Sequence, residues 1–201
     1  MTVDEVMAAR KVSWPLTLPM CSPISDGAAA AILCREEELD RFDRSRAVKI
    51  HATALRTGSD RDPQEFDRHI THLAARDAYA RAGLGPEDMH VAEVHDATAF
   101  AEIQQVENLG FCDFGEGGAL TESGATSIGG RIPVNLSGGL ESKGHPVGAT
   151  GLAQVFELTT QLRGEAGVRQ VSDAKFAIAE NGGGFHGIEE AVACVTILGR
   201  D

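Results

Sequence analysis

Positive charge is scarce in this sequence. Its 201 residues include 18 Lys and Arg but 30 Asp and Glu, which gives a formal net charge of −12. Nucleic acids and anionic membranes are bound through basic surfaces, so the composition argues against both as partners. An acidic balance is common among cytoplasmic enzymes, and we expect a cytoplasmic location.

Cysteine is also sparse. The four cysteines stand at positions 21, 34, 112 and 194, far apart and without a Cys-x-x-Cys pair. This spacing predicts neither a metal site nor a disulfide framework, and it suits a reducing compartment. No apolar run approaches the length of a membrane span, and the opening Met-Thr-Val-Asp-Glu has no features of a signal peptide.

Aromatic residues are few, with 1 Trp, 1 Tyr and 8 Phe, although hydrophobic residues make up 42% of the chain. These proportions predict a packed core that is mostly aliphatic. The length fits one domain, or one domain and a fragment.

Helical and strand-like segments alternate along the chain, which predicts an α/β fold. Gly83 is placed to end the helix that is predicted at residues 64–81. The predicted strands are residues 28–34, 47–54, 91–94, 175–179 and 191–198. The predicted helices are residues 3–11, 35–46, 64–81, 98–109 and 152–162.

The most informative segment is a glycine-rich run with a histidine fixed before a proline. Residues 135–151 read NLSGGLESKGHPVGATG, and a helix-permitting sequence begins at about Ala149. Proline restricts the backbone next to His145, and the glycines let the main chain approach a ligand closely. An imidazole held on such a turn is placed for acid–base work or for binding an oxyanion.

This run resembles the histidine signature of the thiolase superfamily. Ser25-Asp26-Gly27-Ala28-Ala29-Ala30 resembles the strand that closes the N-terminal half of that family. Residues 75–84 resemble a helix early in its C-terminal half. Glu93-Val94-His95-Asp96 resembles the sterol-carrier-type and archaeal-type branch.

The resemblance implies an architecture of two related halves, each a five-stranded mixed sheet layered with helices. Residues 1–50 would be a remnant of the N-terminal half, including its last strand, and residues 51–201 would be the C-terminal domain. A strand separated from its sheet leaves unpaired backbone groups, so a companion chain or a truncated gene product is implied.

The resemblance also implies the site. His95 and His145 would direct N–H groups at a thioester oxygen, and the backbone of Gly182 and Gly183 would bind a second oxyanion. Glu180 falls on the position of the family's basic cysteine and would exchange the proton. Coenzyme A would enter as a thioester substrate, with no tightly bound cofactor and no metal.

Each of these residues also has a purely structural interpretation. His95 could be a satisfied core histidine, Glu180 a solvated residue at a strand end, and Gly182–Gly184 only a hairpin turn. The histidines that match no motif are interpreted as surface or packing residues: His51, His69, His72, His90 and His186.

The sequence departs from the thiolase pattern where the family carries its cysteines. The nucleophilic cysteine belongs to the N-terminal half, and none of the four cysteines stands in its context. Ala97 occupies the cysteine position of the sterol-carrier-type branch, and Glu180 replaces the other basic cysteine. Thiolysis needs a thiolate that accepts the acyl group, so we expect no thiolase activity from this chain alone.

Three functions stay open at this point. The chain could be an acyl-CoA-dependent component of a thiolase-type acyltransferase, which works with an N-terminal-half partner. It could be part of a retro-aldolase of a β-hydroxyacyl-CoA, or a noncatalytic scaffolding or truncated protein. We expect a homo-oligomer or a partner half, and an OB-fold, zinc-ribbon protein is a further candidate partner.

Overall fold

A computed structural model describes residues 1–200 as helices packed on a mixed β-sheet. The α-helices of this part of the chain are α1 (Val3–Ala8), α2 (Ile70–Ala82), α3 (Ala99–Asn108), α4 (Gly117–Glu122), α5 (Gly139–Lys143) and α6 (Thr150–Leu162). Its strands are β1 (Lys11–Ser13), β2 (Leu16–Thr17), β3 (Lys49–Thr57), β4 (Val91–Glu93), β5 (Phe176–Gly183) and β6 (Val192–Gly199).

The main sheet has the order β3-β6-β5-β4 and places β4 beside the site described below. The strand β6 runs antiparallel to both β3 and β5, while β4 runs parallel to β5. A second, two-stranded sheet joins β1 and β2.

Helices cover both faces of the main sheet. On one face, Ala74, Ala75 and Ala78 of α2 pack into the larger apolar cluster. On the other face, Leu158 and Leu162 of α6 pack against apolar residues of β4, β5 and β6. Small alanines let α2 lie close to the strands, and the predicted α/β class is confirmed.

The sheet has four strands in the described residues, whereas the family resemblance implied five. The fifth position is a single parallel bridge between Ala92 and Val134. Pro133 has no N–H to donate to a ladder, and Asn135 leaves the extended conformation with φ 53°. Pairing therefore stops after one bridge.

The predicted strand at residues 28–34 is wrong. The segment forms no strand in the structure, and Ile32 is 86% exposed. A strand forms by pairing with neighbours, and no strand of residues 1–200 lies beside this one. Residues 35–46 form two short 3-10 helices instead of one α-helix, because the segment buries no residue that would stabilise a longer helix.

The longer helices and β3 to β6 agree with the predicted segments, apart from their ends. Helix α2 begins at Ile70 instead of residue 64, because the side chain of His69 caps it by accepting a hydrogen bond from the N–H of Thr71. Gly83 ends α2 in the left-handed conformation at φ 68°, as expected.

Candidate active site

The glycine-rich run brings His145 to the junction between α5 and α6. Gly144 adopts φ 90°, and Pro146 follows directly, so the backbone around His145 has little freedom. The N–H of His145 donates to the carbonyl of Pro23 at 2.8 Å, and Ile24 forms a parallel bridge with His145. Pro23 and Ile24, which the resemblance assigned to the remnant of the N-terminal half, thus support the histidine turn.

The ring of His145 is oriented by the first residue of α6. Its Nδ1 lies 2.7 Å from Oγ1 of Thr150. The hydroxyl also lies 3.3 Å from the carbonyl of Pro146, a longer contact to which it donates when Nδ1 carries the ring hydrogen. When the hydroxyl donates to Nδ1 instead, the hydrogen of the neutral ring is on Nε2, which then faces away as a donor. Burial lowers the pKa of His145, which favours the neutral ring.

His95 follows the end of β4 and meets His145. The two ring centroids are 4.9 Å apart at 71°, an edge-to-face contact. Burial, and then His145, lower the pKa of His95 to about 4, while a hydrogen bond with the backbone of Gly182 acts in the opposite direction. Both rings are therefore neutral near pH 7.

His95 is not a satisfied core histidine. Its buried Nδ1 has no hydrogen-bond partner among residues 1–200. A buried donor or acceptor without a partner is costly, so this nitrogen calls for an explanation, and a catalytic role is one that fits its position beside His145.

Glu180 lies within β5, opposite Val195 of β6, and is entirely buried, with 0% exposure. Its Oε2 accepts from the backbone N–H of His95 at 3.0 Å, and its Oε1 has no partner in the described chain. Burial raises the pKa of Glu180 to about 8. The alternative of a solvated strand-end residue is therefore wrong, because no part of the carboxyl group reaches water.

Gly182 and Gly183 belong to β5 and are not a hairpin turn. They lie opposite Ala193 and Val192 of β6. The ladder between β4 and β5 covers only Ala177 to Ala179, so β4 does not extend alongside these glycines. The backbone of Gly182 instead contacts the side chain of His95.

Asp96 joins the β4 end to the glycine-rich run. Its carboxylate accepts from the N–H of Leu140 at 2.7 Å and from that of Glu141 at 3.3 Å. Gly139 has φ 58°, and a Cβ there would collide with the carboxylate of Asp96. Asp96 therefore fixes the histidine turn relative to His95.

Asn135 is a positioning residue that sequence reasoning did not single out. Its Oδ1 accepts from the N–H of Val94 at 2.8 Å, and its Nδ2 donates to Glu102 at 2.7 Å. The first residue of the glycine-rich run thus holds the end of β4. Its place as the first residue of the glycine-rich run is the one sequence signal that could have indicated this role.

A cavity of about 440 Å³ opens next to His145. It is lined by residues 25–29 on one side and by residues 146–149 on the other. Cys21 forms an isolated antiparallel bridge with Thr98, the residue before α3, and all four cysteines are free.

The histidines without a motif differ in their surroundings. His69 is 3% exposed and takes part in a buried polar network, so it is neither a surface residue nor simple packing. Within residues 1–200, no cluster of three or more His, Cys, Asp and Glu is arranged to hold a metal ion. None of the helices in this range has the length and hydropathy of a membrane span.

Comparison with known proteins gives consistent matches. The family described as thiolase C-terminal domain-like matches residues 52–200. Acetyl-CoA acetyltransferase of Methanothermobacter thermautotrophicus is 48% identical over 99% of this chain and 51% of its own length. Sterol carrier protein 2 of Rattus norvegicus is 45% identical over 90% of this chain and 34% of its own length.

A solved structure, the Ltp2-ChsH2(DUF35) aldolase, has the same fold. It superposes with a TM-score of 0.76 at 23% identity and covers all of this chain but 52% of its own. The chain thus spans about half the length, or less, of the proteins that it resembles.

Proposed function

We propose, since this chain belongs to the thiolase C-terminal domain-like family, that it supplies the histidine side of an active site for acyl-CoA-dependent carbon–carbon bond chemistry. The observation that carries the proposal is the pair of neutral imidazoles, His95 and His145, in edge-to-face contact at the glycine-rich turn. Such donors are fixed in advance and need no reorganisation when charge develops.

In this proposal the substrate is a coenzyme A thioester, and no cofactor is tightly bound. A thiolate of the partner half adds to the Cβ carbonyl and forms a C–S bond. The bond between Cα and Cβ then breaks, the acyl group stays on sulfur, and the electron pair moves onto the thioester oxygen as an enolate that is protonated at Cα. The N–H groups of His95 and His145 stabilise that oxygen, and the backbone of Gly182 and Gly183 serves a second oxyanion.

Glu180 is the proton-exchanging group of the proposed site. With a pKa of about 8 it can both hold and release a proton near neutral pH. Its carboxyl group is fully buried and accepts from the backbone N–H of His95 at 3.0 Å, so the proton must move through the groups that pack on it.

We propose that a thiolase N-terminal half completes the site and supplies the nucleophilic cysteine. Residues 1–50 would continue that half, and residues 51–201 would form the C-terminal domain. Large apolar side chains that a partner would cover are exposed in this chain: Ile24, Ile32, Leu33, Leu152 and Phe156. The assembly would be cytoplasmic, as four free cysteines suggest, and homo-oligomers of it are compatible with the proposal.

The test is thiolysis of acetoacetyl-CoA by the chain alone and by the chain assembled with the N-terminal half. We expect turnover only from the assembly, and iodoacetamide should abolish it. If the isolated chain turned over acetoacetyl-CoA and iodoacetamide abolished this turnover, the proposal that the partner half supplies the nucleophilic cysteine would be contradicted.

A retro-aldolase of a β-hydroxyacyl-CoA is the second candidate. Ala97 and Glu180 stand where thiolase relatives of the two types carry cysteines, and retro-aldol cleavage needs a base and oxyanion donors but no thiolate. Release of a carbonyl product from a β-hydroxyacyl-CoA by an assembly whose partner half lacks the cysteine would favour it. An OB-fold, zinc-ribbon protein would then be a candidate partner, and inactivity in both assays would favour a scaffolding role.

A further inference from the structure

Helix α5 ends on a lysine that the proposed reaction does not use, directly before the turn of His145. We propose that Lys143 is a positioning residue of the site. Through Ser137 it is tied to Glu93 at the end of β4, and this tie holds the two histidine rings together. We call Lys143, Ser137 and Glu93 the Glu93 cluster. The inference rests on the proposed function only where its test measures turnover.

Glu93 is the last residue of β4, and its carboxyl group is buried. Its side chain is 1% exposed, and burying a carboxyl group without partners costs free energy. Its Oε1 accepts from the backbone N–H of Ser137 at 3.0 Å, and its Oε2 accepts from the hydroxyl of Ser137 at 2.6 Å. The ammonium of Lys143 lies 3.7 Å from the same Oε2. These partners all belong to the glycine-rich run, so Glu93 ties the end of β4 to that run.

The hydroxyl of Ser137 joins the other two members of the cluster. It donates to Glu93 and accepts from Nζ of Lys143 at 2.5 Å. The backbone N–H of Gly139 lies 3.3 Å from the same oxygen as a second donor. An ammonium can only donate, so the hydrogen of the hydroxyl is left for the carboxyl group.

Lys143 holds the end of a helix that is too short to be stable alone. Helix α5 has five residues, and isolated helices of this length do not form in water. Asp96 holds its first turn through the N–H groups of Leu140 and Glu141. Lys143 is the last residue of the helix, and its side chain reaches back to Ser137 ahead of the first turn. The two ends of α5 are thus fixed separately.

The Glu93 cluster acts on the two histidines through their own chain segments. Lys143 is separated from His145 by Gly144 alone, whose φ of 90° sets the direction of the turn. Glu93 is separated from His95 by one residue. Each charged member of the cluster therefore stands two residues before one of the rings, whose centroids are 4.9 Å apart. Movement of α5 relative to β4 would change this contact.

The charge of Lys143 also acts on Asp96. Burial raises the pKa of Glu93 and that of Asp96, while hydrogen bonds from the glycine-rich run and the charge of Lys143 oppose both shifts. Glu157 acts on Glu93 in the same direction as burial, but its carboxylate is paired with Arg169 at 2.9 Å. One lysine thus supports both carboxyl groups that hold α5.

The experiment measures the contact between the two rings in the full chain, without any thioester. In protein labelled with ¹³C, the nuclear Overhauser effect between ring protons of His95 and His145 reports their distance. Lys143→Met removes the charge and keeps an unbranched side chain, and we expect it to lose most of this signal. Lys143→Arg should preserve the signal. Lys49→Met is the matched control, because Lys49 is exposed at the start of β3, at the opposite edge of the sheet.

Ser137→Ala breaks the same chain of contacts at its middle and should have the same effect as Lys143→Met. An unchanged ring contact in either folded variant overturns the inference, and so does an equal loss of signal in Lys49→Met. If Lys143→Met does not fold, Ser137→Ala decides. If neither variant folds, the cluster is needed for folding rather than for positioning, which overturns the inference as well.

Turnover separates a positioning role from a purely structural one. In the assembly with the N-terminal half, Lys143→Met should lower kcat about tenfold or more and leave KM nearly unchanged, because a misplaced group slows the chemical step. Lys143→Arg should restore most of kcat. An unchanged kcat despite a lost ring contact overturns the positioning role. If the wild-type assembly is inactive, the proposed function fails instead, and the ring contact alone decides this inference.

Discussion

At the scale of the residue, His145 depends on Thr150 for the orientation of its ring. Thr150→Val removes the hydroxyl at 2.7 Å from Nδ1 but keeps the size and branching of the side chain. We expect turnover of the assembled protein to fall about tenfold, which corresponds to the loss of one hydrogen bond of ~1.4 kcal/mol. Thr150→Ser should restore most of the rate, and equal rates for the Val and Ser variants would contradict the role of the hydroxyl.

Glu180 should also make the stability of the chain depend on pH. Its pKa is about 8 in the folded protein against an ordinary 4.5, so the folded state keeps a proton that the unfolded state has lost between these values. Stability due to this group is therefore present at low pH and is lost as the pH rises toward 8.

Glu180→Gln should remove this loss. Urea unfolding should be measured between about pH 5 and about pH 9. As the pH rises over this range, the free energy of unfolding should fall by less in the variant than in the wild type, and the difference should be on the order of a few kcal/mol. Glu122→Gln should keep the wild-type slope, because Glu122 is exposed. Parallel curves for wild type and Glu180→Gln would show that the carboxyl group is not held protonated by burial.

At the scale of the element, the short helix α5 is fixed to the end of β4 by Asp96. Gly139→Ala places a Cβ against that carboxylate and at φ 58°, so we expect a loss of ~1–3 kcal/mol in the free energy of unfolding. Gly148→Ala is the control, because a Cβ there meets nothing within 4 Å and its φ is not positive. Equal melting temperatures for the two variants would contradict the tie between α5 and β4.

Elements were predictable from the sequence where they bury their own apolar face within this chain. This holds for the strands β5 and β6 and for the helices α2 and α6, and the periodicity of their apolar residues was sufficient to predict them. Residues 28–34 have the composition of a buried strand, but no strand of residues 1–200 pairs with them. Composition alone does not indicate whether a pairing strand is present. The bridge at Val134 was missed because Pro133 and Asn135 limit it to one residue.

Part of the candidate active site could also be predicted from the sequence. The glycine-rich run pointed to His145, and its geometry now has a structural basis in Gly144 and Pro146. The buried polar network of His69 left no motif in the sequence. Gln105 and Asn108 lie three residues apart on α3, but His69 and Glu190 come from distant segments and meet them only in the fold. Long-range side-chain contacts of this kind have no fixed spacing along the chain.

At the scale of the whole molecule, α6 presents an apolar face that residues 1–200 do not cover. Phe156 is 66% exposed on this face. We expect Phe156→Asp to leave the melting temperature of the chain unchanged and to weaken its association with an N-terminal half by about tenfold or more, since a buried charge would oppose the contact. Isothermal titration calorimetry measures the affinity.

Val168→Asp is the control for that experiment. Val168 is 94% exposed in a short 3-10 helix after α6, so a charge there meets only water. Equal affinities for the Phe156 and Val168 variants would place the partner on another surface.

The central claim is that this chain contributes His145 to an acyl-CoA site, and one measurement tests it most directly. Acetoacetyl-CoA thiolysis is compared between the assembly with the N-terminal half and the same assembly carrying His145→Ala, together with the melting temperature of each. The account predicts a fall in turnover of about 100- to 1,000-fold, the usual effect of losing one oxyanion donor, at an unchanged melting temperature. Unchanged turnover, or a loss of turnover that accompanies a collapse of the melting temperature, would contradict it.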